Sequence, residues 1–151
     1  MATIEFGLML QQNYPDHPMS DLLTFDRHCI QALSSGFTTL WLEDHLQHNR
    51  YLMGDLLTEA DWRLFPTLVR FDAVYYGHFK CNLRHLYEYP ALWAYTRELY
   101  QLPGIGETVS LDEYKMHYYG SHRNLNPAGI IPLGPELNFS APHRRERRKY
   151  G

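Results

Sequence analysis

Cysteine is scarce: Cys29 and Cys81 are the only two in 151 residues, too few for the disulfide framework of a small secreted domain. The opening Met-Ala-Thr-Ile-Glu-Phe lacks the basic-then-apolar pattern of an export signal, and no apolar run has the length needed to cross a bilayer. A cytoplasmic protein without a membrane partner is the expectation. An excess of one charge is also lacking. With 14 Lys plus Arg against 17 Asp plus Glu, nothing selects a nucleic acid as the general partner. Asn138-Phe139-Ser140 fits a glycosylation acceptor, a pattern without meaning in a chain that carries no export signal.

Tyrosine, by contrast, is abundant and unevenly placed. Ten of the 12 tyrosines lie between Tyr51 and Tyr119, and Tyr14 is the only one before Tyr51. That shift marks two unlike pieces joined near Gln47. The length suits one compact domain with a real core, so at least one piece must be small or incomplete. Dense tyrosine can line a pocket for flat rings, each phenol offering a π face and a hydroxyl, or can serve as ordinary amphipathic packing.

In the first piece, Ile4 to Leu10 reads as a buried strand, and Asn13 to Pro18 as the loop after it. Ser20 can cap a helix whose apolar stripe is Leu22, Leu23, Phe25, Cys29, Ile30 and Leu33, stopped at Gly36. Phe37 to Leu42 looks like a second strand, which would complete a βαβ unit and leave Glu43-Asp44-His45 past its carboxyl end, where α/β barrels keep their chemistry. Ile4 to Leu8, the Gly36-Phe37 stop and Trp41-Leu42-Glu43-Asp44-His45 resemble the start of a luciferase-like monooxygenase, a flavin- or deazaflavin-dependent barrel. The resemblance implies that Asp44 and His45 are remnants of an active site. It covers residues 1–47, about two of the eight strands that close a barrel, so His45 reads more cheaply as a surface polar residue.

In the second piece, Thr58-Glu59-Ala60-Asp61 has the form of a capping box opening a long helix. Its stripe is Leu64, Leu68, Phe71 and Tyr75 with Phe65 and Val69 beside it, and Pro66 is placed to bend it. A second helical stretch is expected through Asn82, Leu83, Leu86 and Tyr87. Pro90 opens a third with Leu92, Tyr95 and Leu99 inward, ended by Pro103-Gly104. Ser110-Leu111-Asp112-Glu113 is another capping box, starting a short helix with Tyr114, His117, Tyr118 and Tyr119 that stops at Gly120. From about residue 121, Asn126-Pro127, Pro132, Gly134-Pro135 and Pro142 describe an extended tail.

Tyr51 to Asp55, Leu57 to Phe65, Val69 to Tyr75 and Gly77 to Asn82, followed by His117-Tyr118-Tyr119-Gly120-Ser121-His122 and Asn126 to Ile130, closely resemble glutathionyl-hydroquinone reductases, the Xi-class glutathione transferases. The resemblance implies a mainly α fold: a glutathione transferase C-terminal-like helical bundle over residues 48–151, preceded by the short βαβ-like fragment. It also implies glutathione as the family's co-substrate and a quinone-type aromatic substrate. The family's chemistry runs through a mixed disulfide on a cysteine in an N-terminal thioredoxin-like domain. Here Cys29 precedes Ile and Cys81 precedes Asn, neither matching the family's Cys-Pro-Trp context, where a helix start lowers the thiol pKa. The Glu-Ser pair that holds the glutathione γ-glutamyl group has no counterpart either. No catalytic residue is therefore assigned, and no cofactor is expected on this chain alone. What carries over is one wall of the hydroquinone pocket, Tyr119 first and Tyr118 beside it.

Residues 39–47 fit either parent. As a strand they belong to the barrel fragment; as a helix, with Leu42, Leu46 and Arg50-Tyr51 in the transferase pattern, they join the bundle. Burial favours the helix, because the downstream helices offer a surface whereas a lone βαβ unit leaves strand edges unpaired. A metal at His78, Cys81, Asn82 and His85 is declined for want of a complete ligand set. The basic run His143 to Lys149 reads by default as a solvated end. The functional expectations are a truncated transferase-type domain without thiol chemistry of its own, or a module that pairs with itself or with a thioredoxin-like domain. A luciferase-like oxidoreductase fragment is the weaker alternative.

Overall fold

The computed structural model describes residues 37–146. The chain divides into two compact units, Met1–Leu42 and Glu43–Gly151, and the contacts described here belong to the second. The readings of Ile4 to Leu10 as a strand and of Ser20 to Gly36 as a helix lie outside the described residues, as does Cys29.

The described residues are helical: α1 Phe37–His48, α2 Glu59–Arg70, a π-helical turn Phe71–Tyr75, one α turn Tyr76–His78, α3 Pro90–Tyr100 and α4 Leu111–Ser121. Short 3-10 turns at Leu86–Glu88 and Gly106–Thr108 join them. The strand expected at Phe37 to Leu42 is instead the first half of α1, so the helical alternative for 39–47 holds. The physical reason lies downstream of the short β-like run. Leu46 is fully buried, and the Glu43 carboxylate accepts from the backbone amides of Ala91 and Leu92 at 2.9 and 2.8 Å, capping the start of α3. A strand would place Glu43 and Leu46 on opposite faces, whereas a helix brings i and i+3 together.

The Thr58 cap is built as the spacing implies, with the Asp61 carboxylate accepting from the Thr58 amide at 2.8 Å. The same carboxylate, fully buried, also accepts from the Leu52 amide at 3.0 Å and the Tyr95 hydroxyl at 2.8 Å. A capping residue has thus become the polar centre joining the Tyr51 turn, α2 and α3. The buried face of α2 is Phe65, Leu68 and Val69. Leu64 and Phe71, expected inside, are only half-buried. After Pro66, which has no amide to donate, the π turn adds a residue to the helical count and turns Asp72, Ala73 and Val74 inward.

The helix expected through Asn82 to Tyr87 is absent: the chain leaves helix at Phe79, takes positive φ at Lys80, and crosses irregularly to Leu86. Its capping polar group is Asp72, which accepts from the Leu86 amide at 2.7 Å. The four-residue face of His78, Cys81, Asn82 and His85 therefore does not form. α3 follows its sequence pattern, with Leu92, Tyr95 and Leu99 at 1 %, 0 % and 0 % exposure. α4 starts at Ser110, whose hydroxyl accepts from the Glu113 amide at 3.4 Å.

The tail from residue 122 has no regular structure, but it is tied down at four points. The Asn126 amide donates to Tyr119 O at 2.8 Å, and the buried Lys115 ammonium to Leu133 O at 2.7 Å. Phe139 packs on Trp93 and Tyr100 of α3 at 5.1 and 5.2 Å between ring centroids. The fourth tie corrects the reading of the basic run as solvated at Arg145 alone; Arg144 is exposed, and residues 147–149 lie outside the described residues. Arg145 is completely buried, its Nε 2.6 Å from Glu98 Oε2. Its remaining N–H groups reach the carbonyls of Leu46, Ala91, Asn49 and Arg50. Glu98 in turn accepts from Arg50 Nε at 2.8 Å and the Tyr51 hydroxyl at 3.1 Å. A planar five-donor fork satisfies an anion and several carbonyls at once, which a solvated lysine-like end would not do.

Candidate functional site

Helix α4 lies against the π turn and the α turn after it, and side chains of both pieces meet there as an aromatic cluster. Tyr118 stands edge-on to Tyr75 at 5.9 Å, to Phe79 at 5.8 Å and to His122 at 5.5 Å between centroids. Near-perpendicular rings at these distances are the favoured aromatic geometry. Tyr119 packs on the His78 ring at 4.7 Å. Its hydroxyl lies so close to Gly77 that a Cβ there would sit 2.7 Å from it, so a side chain at this position would require the phenol to move. The His78 Nε2 is 3.1 Å from His122 Nδ1, linking the end of the α turn to the residue that caps α4.

The Tyr75 and Tyr119 phenols hold their protons. Burial, then the hydrogen bond with Tyr118, pushes Tyr75 up to about 12. Burial also raises Tyr119, against the opposite pull of the His78 backbone amide. His78 is held below the ordinary imidazole value by burial first, then by His122 and Lys80. The cluster thus presents π faces, phenol hydroxyls and imidazole nitrogens. Such a surface suits a flat aromatic ring carrying oxygen substituents.

Tyr118 and Tyr119 are brought together with His78, His122, Tyr75 and Phe79. Asp44 and His45 are not part of this cluster. Both lie on α1, where Asp44 is exposed and His45 sits beside Tyr51 O at 3.3 Å and Asn49 at 3.3 Å. Sequence reading missed the histidine pair, although His78 and His122 both stand in the motifs that carry the family resemblance. Two shallow surface depressions are lined by Asp112, Lys115, Met116, Ile131, Pro132 and Leu133 and by Glu43, Gln47, His48, Pro90 and Ala91. Neither of these two includes Tyr118 or Tyr119. Among the described residues no group of three or more His, Cys, Asp or Glu is arranged to hold a metal, and no helix is long and apolar enough to cross a membrane.

Residues 28–98 match the family model of the glutathione S-transferase C-terminal domain. That stretch of the chain is similar to a glutathione S-transferase C-terminal domain. The chain is 56 % identical over 100 residues to the glutathionyl-hydroquinone reductase PcpF of Sphingobium chlorophenolicum, covering 66 % of this chain and 32 % of that protein. Its identity to the glutathionyl-hydroquinone reductase YqjG of Escherichia coli is 50 % over 119 residues, 78 % of this chain and 36 % of the relative. The glutathione-bound structure of YqjG superposes with a TM-score of 0.74 at 47 % identity, covering 79 % of this chain and 39 % of the other. The chain thus spans about a third of the length of these relatives. The domain match begins at residue 28, upstream of the join placed near Gln47, in keeping with α1 being a helix of the domain.

Proposed function

We propose that this domain is the substrate-binding half of a glutathionyl-hydroquinone reductase-type transferase, and that by itself it does not carry out the thiol transfer. Tyr119, with Tyr118 beside it, forms the wall that receives a quinone-type ring. The observation that carries this reading is the cluster of Tyr75, Tyr118, Tyr119 and the His78–His122 pair assembled by two separate segments. Two of the relatives of similar sequence are named glutathionyl-hydroquinone reductases, which supports the choice of substrate class.

In this reading the glutathione site lies outside the described residues. The buried carboxylates Glu43, Asp61, Asp72 and Glu98 are all engaged inside the domain. Cys81 follows the end of a helical turn rather than beginning a helix. Although the residue is exposed, local desolvation pushes its thiol above the usual value, the opposite of what an attacking thiolate needs. Glutathione and the reactive cysteine would come from a thioredoxin-like domain. The test is turnover: the purified chain should leave a glutathionylated hydroquinone intact in the presence of glutathione. Turnover abolished by Cys81→Ser would overturn the reading.

A second reading is favoured by one observation. Met116, Ile130 and Leu133 are 62 %, 71 % and 98 % exposed along α4 and the tail, and apolar surface left in water is unfavourable by roughly 25 cal/mol per Å². An interaction module would cover this face with a second copy or a thioredoxin-like partner. Light scattering over a concentration series should then show association, and limited proteolysis should cut between Met19 and Leu46. A strictly monomeric chain resistant to cleavage there would remove the support for this reading. The luciferase-like alternative draws no support from α1, which is helical where that family's second strand would be.

A further inference from the structure

We propose that the His78–His122 pair is a proton-operated clasp: neutral or singly protonated, it pins the end of α4 to the Tyr76–His78 turn and seats Tyr119 on Gly77; doubly protonated, it opens and frees Tyr119. The inference concerns the regulation of the site proposed above, and its test needs neither substrate nor turnover.

The geometry supplies the reason. The two facing nitrogens, 3.1 Å apart, share one hydrogen. A first added proton can go to an outward nitrogen and leave the bridge intact. A second puts N–H on both facing atoms, and two donors with no acceptor between them must part. Other charges near the pair do not compensate. On the His78 side, Lys80 donates to Gly77 O at 2.8 Å and adds positive charge. On α4, His117 lies 6.3 Å from His122 between centroids, and the phenol rings of Tyr118 and Tyr119 pack against the pair. In the tail, the Arg123 guanidinium lies beside Gly129. Among the described residues no carboxylate pairs with either ring.

His78 itself is only 5 % exposed, so water cannot readily screen the second charge. Tyr119 is coupled to the event by position. Its ring packs on the His78 ring and its hydroxyl rests over Gly77, the residue before His78. When the α4 end lifts, that perch is lost.

The experiment is a heteronuclear NMR titration of the whole chain with 13C-labelled His and Tyr rings, from about pH 8 down to about pH 4.5. Far-UV circular dichroism monitors the fold alongside. His78 and His122 should titrate in two separated steps, with the Tyr119 ring signals shifting at the second. In His122→Asn, which keeps a polar atom near the Nδ1 position without titrating, Tyr119 should no longer respond. His78→Gln, placing its amide near the Nε2 position, should do the same and serves if the first variant folds poorly. Independent single-step titration of the two rings overturns the clasp. So does a Tyr119 signal that stays put in the wild type or moves equally in the variants. None of these results depends on whether the domain binds quinones.

Discussion

Two polar assemblies join distant segments of this domain, and they are built on opposite principles. Around Glu98, the Arg145 and Arg50 guanidinium groups and the Tyr51 hydroxyl converge with Glu98 at 3 % and Arg145 at 0 % exposure, and the donors of Arg145 go on to several carbonyls. Around His78 the partners are rings, and His122 and both tyrosines are half-buried. A buried ion pair, Arg145 with Glu98, whose remaining donors are also satisfied gives a frame that should tolerate no loss. A partly open cluster of rings leaves a surface within reach of the proposed ligand. Buried polarity alone does not mark a site; the state of its compensation separates frame from wall.

The contrast is broken most severely by Arg145→Ala. Glu98 would keep Arg50 and Tyr51 but lose its buried partner, and the carbonyls of Leu46, Asn49 and Arg50 would lose a donor. A loss of about 3–5 kcal/mol in a urea titration is expected. Arg145→Lys should recover only part of it, since an ammonium cannot reproduce a planar fork. A loss below about 1 kcal/mol would show that the tail is not part of the frame.

This prediction also marks where the sequence stops being legible. α3 could be read directly, because Leu92, Tyr95 and Leu99 repeat at helical spacing and face one core. The Thr58 and Ser110 starts were legible from local chemistry, each needing only residues three apart. Arg145 could not be read that way: its partners lie more than 45 residues away, and the run Arg144-Arg145-Glu146 does not distinguish one arginine from the next. The same holds for the π turn. The Leu64 and Phe71 stripe assumed an uninterrupted 3.6-residue period, which the extra residue at Phe71–Tyr75 resets. At 37–42 a short apolar run was compatible with either strand or helix, and the decision came from where Glu43 and Leu46 had to point. Of the site, Tyr118 and Tyr119 were visible through a motif, whereas the facing of His78 and His122 depends on how α4 docks.

A smaller loss is expected at Asp61. As an isolated cap it would be worth on the order of 1 kcal/mol, but its carboxylate also serves the Leu52 amide and the buried Tyr95 hydroxyl. Burial and the bond to Asp61 push the Tyr95 pKa far up, so this hydroxyl stays a donor and needs its acceptor. Asp61→Ala should therefore cost about 2–4 kcal/mol in urea. Tyr95→Phe in the same background should add little, because the partner it would leave is already gone. Full additivity of the two would separate Tyr95 from the cap and shrink the frame to the Glu98 group.

The smallest effect on stability belongs to the wall. Tyr119→Phe removes a hydroxyl beside the Gly77 backbone and keeps the ring on His78. No charge is left uncompensated and no packing volume is lost beyond one oxygen. Its cost should stay within about 1 kcal/mol, the range of one neutral hydrogen bond. A quinone-type ligand that uses this hydroxyl would notice the change more than the fold does. Fluorescence titration with menadione should show an affinity about 3- to 10-fold weaker in the variant, the equivalent of one such bond. Arg145→Lys, measured where it remains folded, should leave the affinity unchanged. If Tyr119→Phe instead destabilised the domain as much as Asp61→Ala while binding stayed the same, Tyr119 would be a member of the frame. The wall would then have to be sought in Tyr118, whose ring already stands among Tyr75, Phe79 and His122.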